Sequence, residues 1–297
     1  MTPEDVLIIG AGPAGIAAAI QLQRSGIPYR LLEKERVGGL LWNANLVENY
    51  PGFPAGITGP KLVRLFERQM HRLGVEVVFE EVVCLASEGG EILLETNRAT
   101  YRPQFIVSAS GTRPNPSPLV VPVQAQDKIH FEVYPLLGLH DSRVAIVGAG
   151  DAAFDYALNL SRHNRVILLI RGQTTKCLPL LAGRVLDCDR IEVQFETDII
   201  KIEMDHDGNS LRLICQCAQK SQTFSCDHLI FAIGRAAQLD YLSPEMQKQT
   251  QSLVSSGRLY LVGDVANGFF RQTGIAVGDG LKAAMQIVAK IKQIGED

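Results

Sequence analysis

The sequence predicts an α/β protein made of two domains of one type, each a parallel sheet flanked by helices with a small added β-meander. Residues 6–15 read VLIIGAGPAG and residues 144–153 read VAIVGAGDAA, so an offset of 138 residues superimposes the two segments. The chain of 297 residues also exceeds the usual size of a single hydrophobic core. A repeat of this length predicts two separate domains rather than a solenoid.

The first repeat has the pattern of a buried strand, a tight turn and a helix start. Four aliphatic residues run into Gly10-x-Gly12-x-x-Gly15, and the Ala-rich stretch IAAAIQLQ follows at once. In this pattern Gly10 permits the turn, Gly12 lets the backbone approach a pyrophosphate, and Gly15 lets helix and strand pack closely. The start of the helix offers unpaired N–H groups to the phosphates. The segment therefore predicts a Rossmann-like dinucleotide site.

The charged residues that follow the second strand of each repeat differ in sign. Glu33 ends the segment IPYRLLE, and the offset of 138 places Arg171 at the same position of the second repeat. A carboxylate there suits ribose hydroxyls, whereas an arginine suits the 2′-phosphate that distinguishes NADP from NAD. Lys176 would add a second cation. The alternative for each residue is an exposed charge at a strand end.

Composition excludes several classes of function. The net charge of −3 gives no reason to expect binding to nucleic acid or to an anionic membrane. The acidic start lacks the basic region of a signal peptide, and the longest apolar run, residues 6–20, is too short and too rich in glycine to span a bilayer. Six cysteines in a chain of this length do not suggest a disulfide scaffold, so we expect a reducing, cytoplasmic setting.

The remaining segments predict further elements in order. A glycine- and proline-rich loop covers residues 37–54, and a Pro-rich stretch at residues 114–118 is a candidate domain boundary. Helices are expected at residues 59–73 and 278–294, and short strands at residues 75–83, 91–95, 104–111, 191–196, 199–204, 211–216, 228–233 and 258–264. The four runs between 191 and 233 suggest a β-meander added to the second domain.

Taken together, these motifs resemble those of the low-molecular-weight thioredoxin reductase family. The resemblance covers nearly the whole chain and rests on GAGPAG followed by Glu33, GG…VENYPGFP, SASGTRP, GAGDAA and GDVANG…RQTG. It implies that residues 1–114 and 237–297 form an FAD-binding domain and that residues 115–236 form an inserted NAD(P)-binding domain. The family is commonly dimeric, so the resemblance also implies a homodimer.

The resemblance implies two sets of cofactor-binding residues. Those expected at FAD are Gly10, Gly12, Pro13, Ala14, Glu33, Gly39, Leu41, Asn49, Val83, Gly111, Gly263, Asp264, Arg271, Gln272 and Thr273. Those expected at NADPH, with NADH as the alternative donor, are Gly148, Gly150, Asp151, Ala152, Arg171, Lys176 and Gly234. No catalytic side chain and no metal site are expected, because the cofactors carry the chemistry of hydride transfer.

Two departures from the family bear on function. The family has a Cys-x-x-Cys pair shortly before the second glycine motif, but residues 131–138 here read FEVYPLLG. Cys215-x-Cys217 comes nearest, and packing in the meander is its simpler explanation. The family's His-Arg-Arg phosphate motif is also reduced, to Ile170-Arg171-Gly172. The segment HFEV at residues 130–133 is similar instead to ferredoxin–NADP reductases of the same scaffold.

Three functions therefore stay open at this point. The first is an NAD(P)H-dependent FAD reductase that passes electrons to an external acceptor, either a ferredoxin- or flavodoxin-like protein or a small oxidant. The second is a disulfide reductase without an internal dithiol. The third is a flavin-binding protein with a degenerate NAD(P) site.

Overall fold

A computed structural model describes residues 1–218 and 220–294 of the chain. These residues form two compact units. Unit 1 comprises Met1–Trp42, Val47–Arg113 and the described residues from Ala236 onward, and unit 2 comprises Asn43–Leu46 and Pro114–Arg235. The boundaries after Arg113 and before Ala236 each lie one residue before the position that the sequence predicts. The short segment Asn43–Leu46 groups with unit 2, although the sequence places it in the first domain.

The first part of unit 1 alternates strands and helices. In chain order its elements are β1 Val6–Ile9, α1 Pro13–Arg24, β2 Arg30–Glu33, α2 Gly59–Leu73, β3 Val77–Phe79, β4 Val82–Glu88, β5 Glu91–Thr96, β6 Thr100–Tyr101, β7 Phe105–Ser108 and β8 Thr112–Pro114.

Unit 2 repeats this alternation, and the chain then returns to unit 1. The elements of unit 2 are β9 Ile129–His130, β10 Arg143–Val147, α3 Asp151–Leu160, β11 Arg165–Leu169, α4 Pro179–Leu186, β12 Ile191–Gln194, β13 Thr197–Met204, β14 Leu211–Cys217, β15 Lys220–Cys226 and β16 His228–Phe231. After the crossover strand β17, Arg235–Ala237, unit 1 gains α5 Pro244–Ser255, β18 Leu259–Leu261 and α6 Thr273–Ile294.

Both units contain a five-stranded parallel sheet with the glycine-rich strand at its centre. The order is β18-β7-β1-β2-β3 in unit 1 and β12-β11-β10-β16-β9 in unit 2. The outermost strand beyond β7 comes from the C-terminal part of the chain, whereas its counterpart in unit 2, β9, comes before the glycine motif. The α/β fold class with two Rossmann-like domains is therefore confirmed.

The central strand of unit 1, β1, is apolar throughout because both faces of its sheet are covered. Val6 and Ile8 pack in the cluster formed with α1 and α6. Leu7 and Ile9 point to the opposite face, toward the β4–β6 meander and α5. A strand that is buried on both faces has no polar alternation, which is why VLII is a continuous hydrophobic run.

The structure corrects several predicted elements. The runs at residues 191–196 and 228–233 contribute to the parallel sheet as β12 and β16, and the meander of unit 2 is β13-β14-β15, whose last strand the sequence did not predict. The run at residues 75–83 is divided between β3 and β4. The last helix begins at Thr273, five residues earlier than expected.

No helix within residues 1–218 and 220–294 is both long and apolar enough to cross a membrane.

Candidate cofactor sites

The glycine-rich turn of unit 1 combines two tightly packed glycines with one open glycine. Gly10 has φ +95°, and a Cβ added to it would lie 2.5 Å from the backbone oxygen of Ala109. A Cβ on Gly15 would lie 1.8 Å from the oxygen of Gly10, whereas a Cβ on Gly12 would meet no atom within 4 Å. Gly12 is the N-cap of α1, and Pro13 is its first residue. The turn therefore leaves open space at a helix N-terminus, as a pyrophosphate requires.

Glu33 lies beside this turn at the end of β2 and is 9% exposed. Its Oε2 accepts a hydrogen bond of 2.8 Å from the backbone N–H of Ala11, and its Oε1 accepts one of 3.0 Å from that of Glu35. Each carboxylate oxygen has two acceptor positions. Glu33 therefore retains the capacity to accept from ribose hydroxyls while its position is fixed by the backbone.

The loop with Gly38 and Gly39 packs against this turn. The N–H of Gly38 donates to the oxygen of Ala11 at 2.8 Å. A Cβ on Gly39 would lie 3.4 Å from the Cα of Gly12, and a Cβ on Gly38 would lie 2.6 Å from both methyl groups of Val63. This loop can thus approach the backbone of the glycine-rich turn only because it carries no side chains at these two positions. Leu41, in the following turn, is buried.

The C-terminal part of the chain completes the site in unit 1. A Cβ on Gly263 would lie 2.9 Å from that of Ala14, and one on Gly280 would lie 2.0 Å from the oxygen of Ala14. The N–H of Gly263 donates to Oδ2 of Asp279 at 3.1 Å. Sequence reasoning missed Asp279 and Gly280. The detectable signal was an Asp-Gly pair within the largely apolar segment GIAVGDGLKAA.

Two of the other residues expected at FAD are joined directly. Nδ2 of Asn49 donates to Oε1 of Gln272 at 2.7 Å, although the two residues are far apart in the chain. The oxygen of Gly111 accepts from the N–H of Gln238 at 3.0 Å. Val83 lies at a register shift in β4 and is 50% exposed. The remaining members lie in the turn after β18 or at the start of α6, and they are Asp264, Arg271 and Thr273.

Unit 2 has a similar turn. Gly148 lies so close to the neighbouring strand that an added Cβ would be 2.5 Å from the oxygen of Ala232. Gly150, the N-cap of α3, is again open, with no atom within 4 Å of an added Cβ. Oδ1 of Asp151 accepts from the N–H of Leu178 at 2.8 Å, which ties the loop after β11 to the start of α3. Ala152 follows Asp151 in the first turn of α3.

The same loop carries the candidate phosphate-binding cations. The N–H of Lys176 donates to the oxygen of Ala149 at 2.7 Å, so this residue lies next to the glycine-rich turn. The side chains of Arg171 and Lys176 are both exposed. Gly234, at the end of the neighbouring strand, has φ +103° and accepts from the N–H of Asn115.

The sheet register changes the comparison between Glu33 and Arg171. The N–H of Gly10 donates to the oxygen of Leu32, and the N–H of Gly148 donates to the oxygen of Leu169. The residue equivalent to Glu33 is therefore Ile170, which is 1% exposed, and Arg171 lies one position beyond it. The constant offset fails because the connection into β11 is one residue shorter than the connection into β2.

The segment at residues 131–138, FEVYPLLG, is packed into unit 2. Val133 and Leu136 are buried in the core of unit 2. The carboxylate of Glu132 pairs with the guanidinium of Arg235 and accepts from Nδ2 of Asn43 at 2.6 Å. These contacts give the segment a structural role.

The six cysteines are all free thiols. Cys215 and Cys226 are buried, and burial raises the pKa of each thiol to about 12. Both are therefore protonated at neutral pH, in a form that is neither a nucleophile nor a metal ligand. Among the residues that the structure describes, no cluster of three or more His, Cys, Asp or Glu side chains could hold a metal ion.

Comparison with known families gives these two sites a common context. The family model described as pyridine nucleotide-disulphide oxidoreductase matches residues 4–280, which include both glycine-rich turns and Gly263. The chain belongs to this family. It is a flavin-dependent NAD(P)H oxidoreductase of the thioredoxin reductase type.

Individual relatives agree with this membership. The thioredoxin reductase of Borreliella burgdorferi is 24% identical over 96% of this chain and 91% of its own length. The ferredoxin–NADP reductase of Ignicoccus hospitalis is 30% identical over 77% of this chain and 76% of its own.

Solved structures show the same fold. Thioredoxin reductase from Lactococcus lactis has a TM-score of 0.83 at 23% identity, covering 96% of this chain and 98% of that one. The bacillithiol disulfide reductase Bdr from Staphylococcus aureus has a TM-score of 0.75 at 20% identity, covering 98% and 99%.

Proposed function

We propose that the protein takes hydride from NADPH and passes electrons through FAD to an external acceptor, either a ferredoxin- or flavodoxin-like protein or a small oxidant. Unit 1 would bind FAD and unit 2 would bind NADPH. The observation that carries the proposal is the pairing of two open glycine-rich turns with a packed, cysteine-free segment at residues 131–138. Because the chain contains no Cys-x-x-Cys pair, the flavin would pass its electrons directly to an acceptor from outside.

The residues of unit 1 fit FAD. Gly12 and Gly39 offer bare backbone to the pyrophosphate, Glu33 offers carboxylate oxygens to the ribose, and Gly263 closes against Ala14 without a side chain. FAD held by these residues would supply the redox chemistry between the hydride donor and the acceptor. The protein's own task is then to bind and orient, which agrees with the lack of a catalytic constellation in the sequence.

The residues of unit 2 fit NADPH better than NADH. Ile170 occupies the place that Glu33 has in unit 1, so no carboxylate at that position repels a 2′-phosphate. The exposed cations Arg171 and Lys176 lie on the loop that begins there. The relative from Ignicoccus hospitalis, named as a ferredoxin–NADP reductase, supports both the donor and the class of acceptor.

Anaerobic mixing of the FAD-loaded protein with NADPH tests the proposal. Rapid loss of the oxidised flavin absorbance is expected, followed by its return when ferredoxin, flavodoxin or a quinone is added. Failure of NADPH and of NADH to bleach the flavin would overturn the proposal and favour a binding protein with a degenerate NAD(P) site. Reoxidation by a low-molecular-weight disulfide alone would instead indicate a disulfide reductase.

The resemblance also supports a homodimer. Light scattering coupled to size-exclusion chromatography of the loaded protein is expected to give twice the mass of the 32.5 kDa chain. A monomer mass would remove this part of the proposal and leave the electron-transfer part standing.

A further inference from the structure

The outer face of α2 carries a concentration of positive charge. Its sequence, GPKLVRLFERQMHRL, contains Lys61, Arg64, Arg68 and Arg72 against the single carboxylate of Glu67. All five side chains are exposed. Because the whole chain has a net charge of −3, this positive surface is a local feature and not a consequence of composition.

These cations are available to a partner. Spacings of three and four residues place Lys61, Arg64 and Arg68 on one face of the helix. Within residues 1–218 and 220–294, none of them makes an ion pair with a carboxylate within 4.0 Å. The same face borders an open groove of about 970 Å³, where the half-buried side chains of Ile57 and Leu65 lie among the charges.

The basic face belongs to unit 1, the compact unit that holds the proposed FAD site. The apolar side of α2 is buried, including Leu62 and Met70, and Val63 fills the space that Gly38 leaves next to the glycine-rich turn. The groove residue Ile57 exchanges two backbone hydrogen bonds with Val47, in the loop that leads to Asn49 and its bond to Gln272. One layer of packed residues therefore connects the basic face with the cofactor loops.

We propose that the face formed by Lys61, Arg64 and Arg68 around the Ile57–Leu65 groove is the docking surface for a small acidic electron-carrier protein. This inference rests on the proposed transfer of electrons to an external acceptor and names the class of that acceptor. Opposite charge on the partner steers the encounter and fixes its orientation, while the two aliphatic side chains supply a small apolar centre.

Two other occupants fit the face less well. A symmetric dimer through this face would bring the same cations of two copies together, which is unfavourable. Helices that insert into membranes present a broad exposed apolar face, whereas the apolar face of α2 is buried in unit 1.

Charge reversal of the full-length, FAD-loaded protein tests the surface. The test variant is Arg64→Glu/Arg68→Glu. The matched control is Arg98→Glu/Lys248→Glu, two exposed cations on the meander and α5, which cover the opposite face of the sheet. Both variants change the formal net charge from −3 to −7, since each substitution exchanges one positive for one negative charge. The probe is a fluorescently labelled acidic flavodoxin, and its binding is measured by anisotropy.

We expect the test variant to weaken flavodoxin binding at least about tenfold at low ionic strength and the control by less than about twofold. The neutral variant Arg64→Gln/Arg68→Gln is expected to fall between the wild type and the test variant. Wild-type affinity is expected to decrease steeply as salt rises, because screening at 0.15 M extends over only about 8 Å. Equal weakening by test and control, or binding insensitive to salt, would overturn the proposal.

Additional measurements separate this inference from the proposed function. NADPH-driven reduction of menadione, an uncharged quinone, is expected to be the same in all variants. If the wild type reduces no acceptor, the proposed function fails, while flavodoxin binding still reports on the surface. A change of oligomeric state in the test variant alone would assign the face to a second copy. Loss of binding to phosphatidylserine vesicles in that variant alone would assign it to a membrane, and either result would overturn the proposal.

Discussion

Replacing Arg171 with alanine is expected to weaken the use of NADPH selectively and to leave NADH almost unaffected. Arg171 follows Ile170 directly after β11, and its exposed side chain lies on the loop that Lys176 and Asp151 tie to the glycine-rich turn. In this position the guanidinium would meet the 2′-phosphate, a group that NADH lacks. The adenine, the pyrophosphate and the nicotinamide would keep their contacts in the variant.

The size of the effect follows from the exposure of the site. Two unit charges separated by 4 Å attract each other by about 1 kcal/mol in a water-like dielectric. The 2′-phosphate carries a charge of about −2, so removing one cation is expected to cost about 2 kcal/mol. That corresponds to a decrease of roughly 30-fold in kcat/KM for NADPH at low ionic strength.

Anaerobic stopped-flow mixing of the FAD-loaded protein with each donor measures the rate of flavin reduction. The matched control is Arg165→Ala, which removes an exposed cation from the opposite end of the same strand, β11. The control is expected to behave as the wild type. An unchanged ratio of NADPH to NADH efficiencies in Arg171→Ala would refute the assignment of this residue, and so would an equal change in the control.

Three further predictions concern the turn, pH and the thiols. Gly15→Ala is expected to destabilise the apo protein by about 2–4 kcal/mol, because its Cβ would lie 1.8 Å from a backbone oxygen. Gly12→Ala is expected to keep the stability of the apo protein and to lose FAD affinity. Denaturant titration measures the stability and flavin retention measures the affinity, and equal stability of the two apo variants would contradict the reasoning. Asp155 lies in α3, where burial raises its pKa from 3.8 to about 6, so the folded state binds this proton more tightly than the unfolded chain does. The contribution of Asp155 to the free energy of unfolding is therefore lost as pH rises, by about 3 kcal/mol between roughly pH 4 and pH 6, and is level above that range. The variant Asp155→Asn should lack this pH-dependent component when unfolding is titrated at several pH values. Identical pH dependence of variant and wild type would show the prediction to be wrong. Replacing Cys215 and Cys217 with serine is expected to leave NADPH-driven acceptor reduction unchanged, because burial keeps the Cys215 thiol protonated. Loss of activity in a correctly folded variant would instead indicate a dithiol mechanism.

Local backbone rules made much of the fold predictable. Gly10 needs a positive φ and Gly15 cannot carry a Cβ, and both requirements arise within a few residues of the turn itself. The helix at Gly59–Leu73 was predictable to its exact bounds, because a proline starts it and Gly74, at φ +69°, ends it. Such signals depend on short segments and are readable without knowledge of the partners.

Other features depended on which strands pair, and the sequence alone misassigned them. The runs that became β12 and β16 are short, like those of the meander, and only their pairing with β11 and β10 separates the two groups. The close approach of Gly280 to Ala14 was likewise hidden, because it joins segments more than 250 residues apart.

The sequence by itself determined that this chain has two Rossmann-like units of one type, each with a glycine-rich turn before its first helix, and that it contains no Cys-x-x-Cys pair. The tertiary structure decided what aligns with Glu33. Hydrogen bonds from Gly10 to Leu32 and from Gly148 to Leu169 place Ile170 at the equivalent position, with Arg171 one residue beyond. It also decided that Lys61, Arg64 and Arg68 of α2 form one exposed face. The physical reason is the same in both cases: turn geometry is a property of consecutive residues, whereas register and exposure are set by the strands and helices that pack alongside.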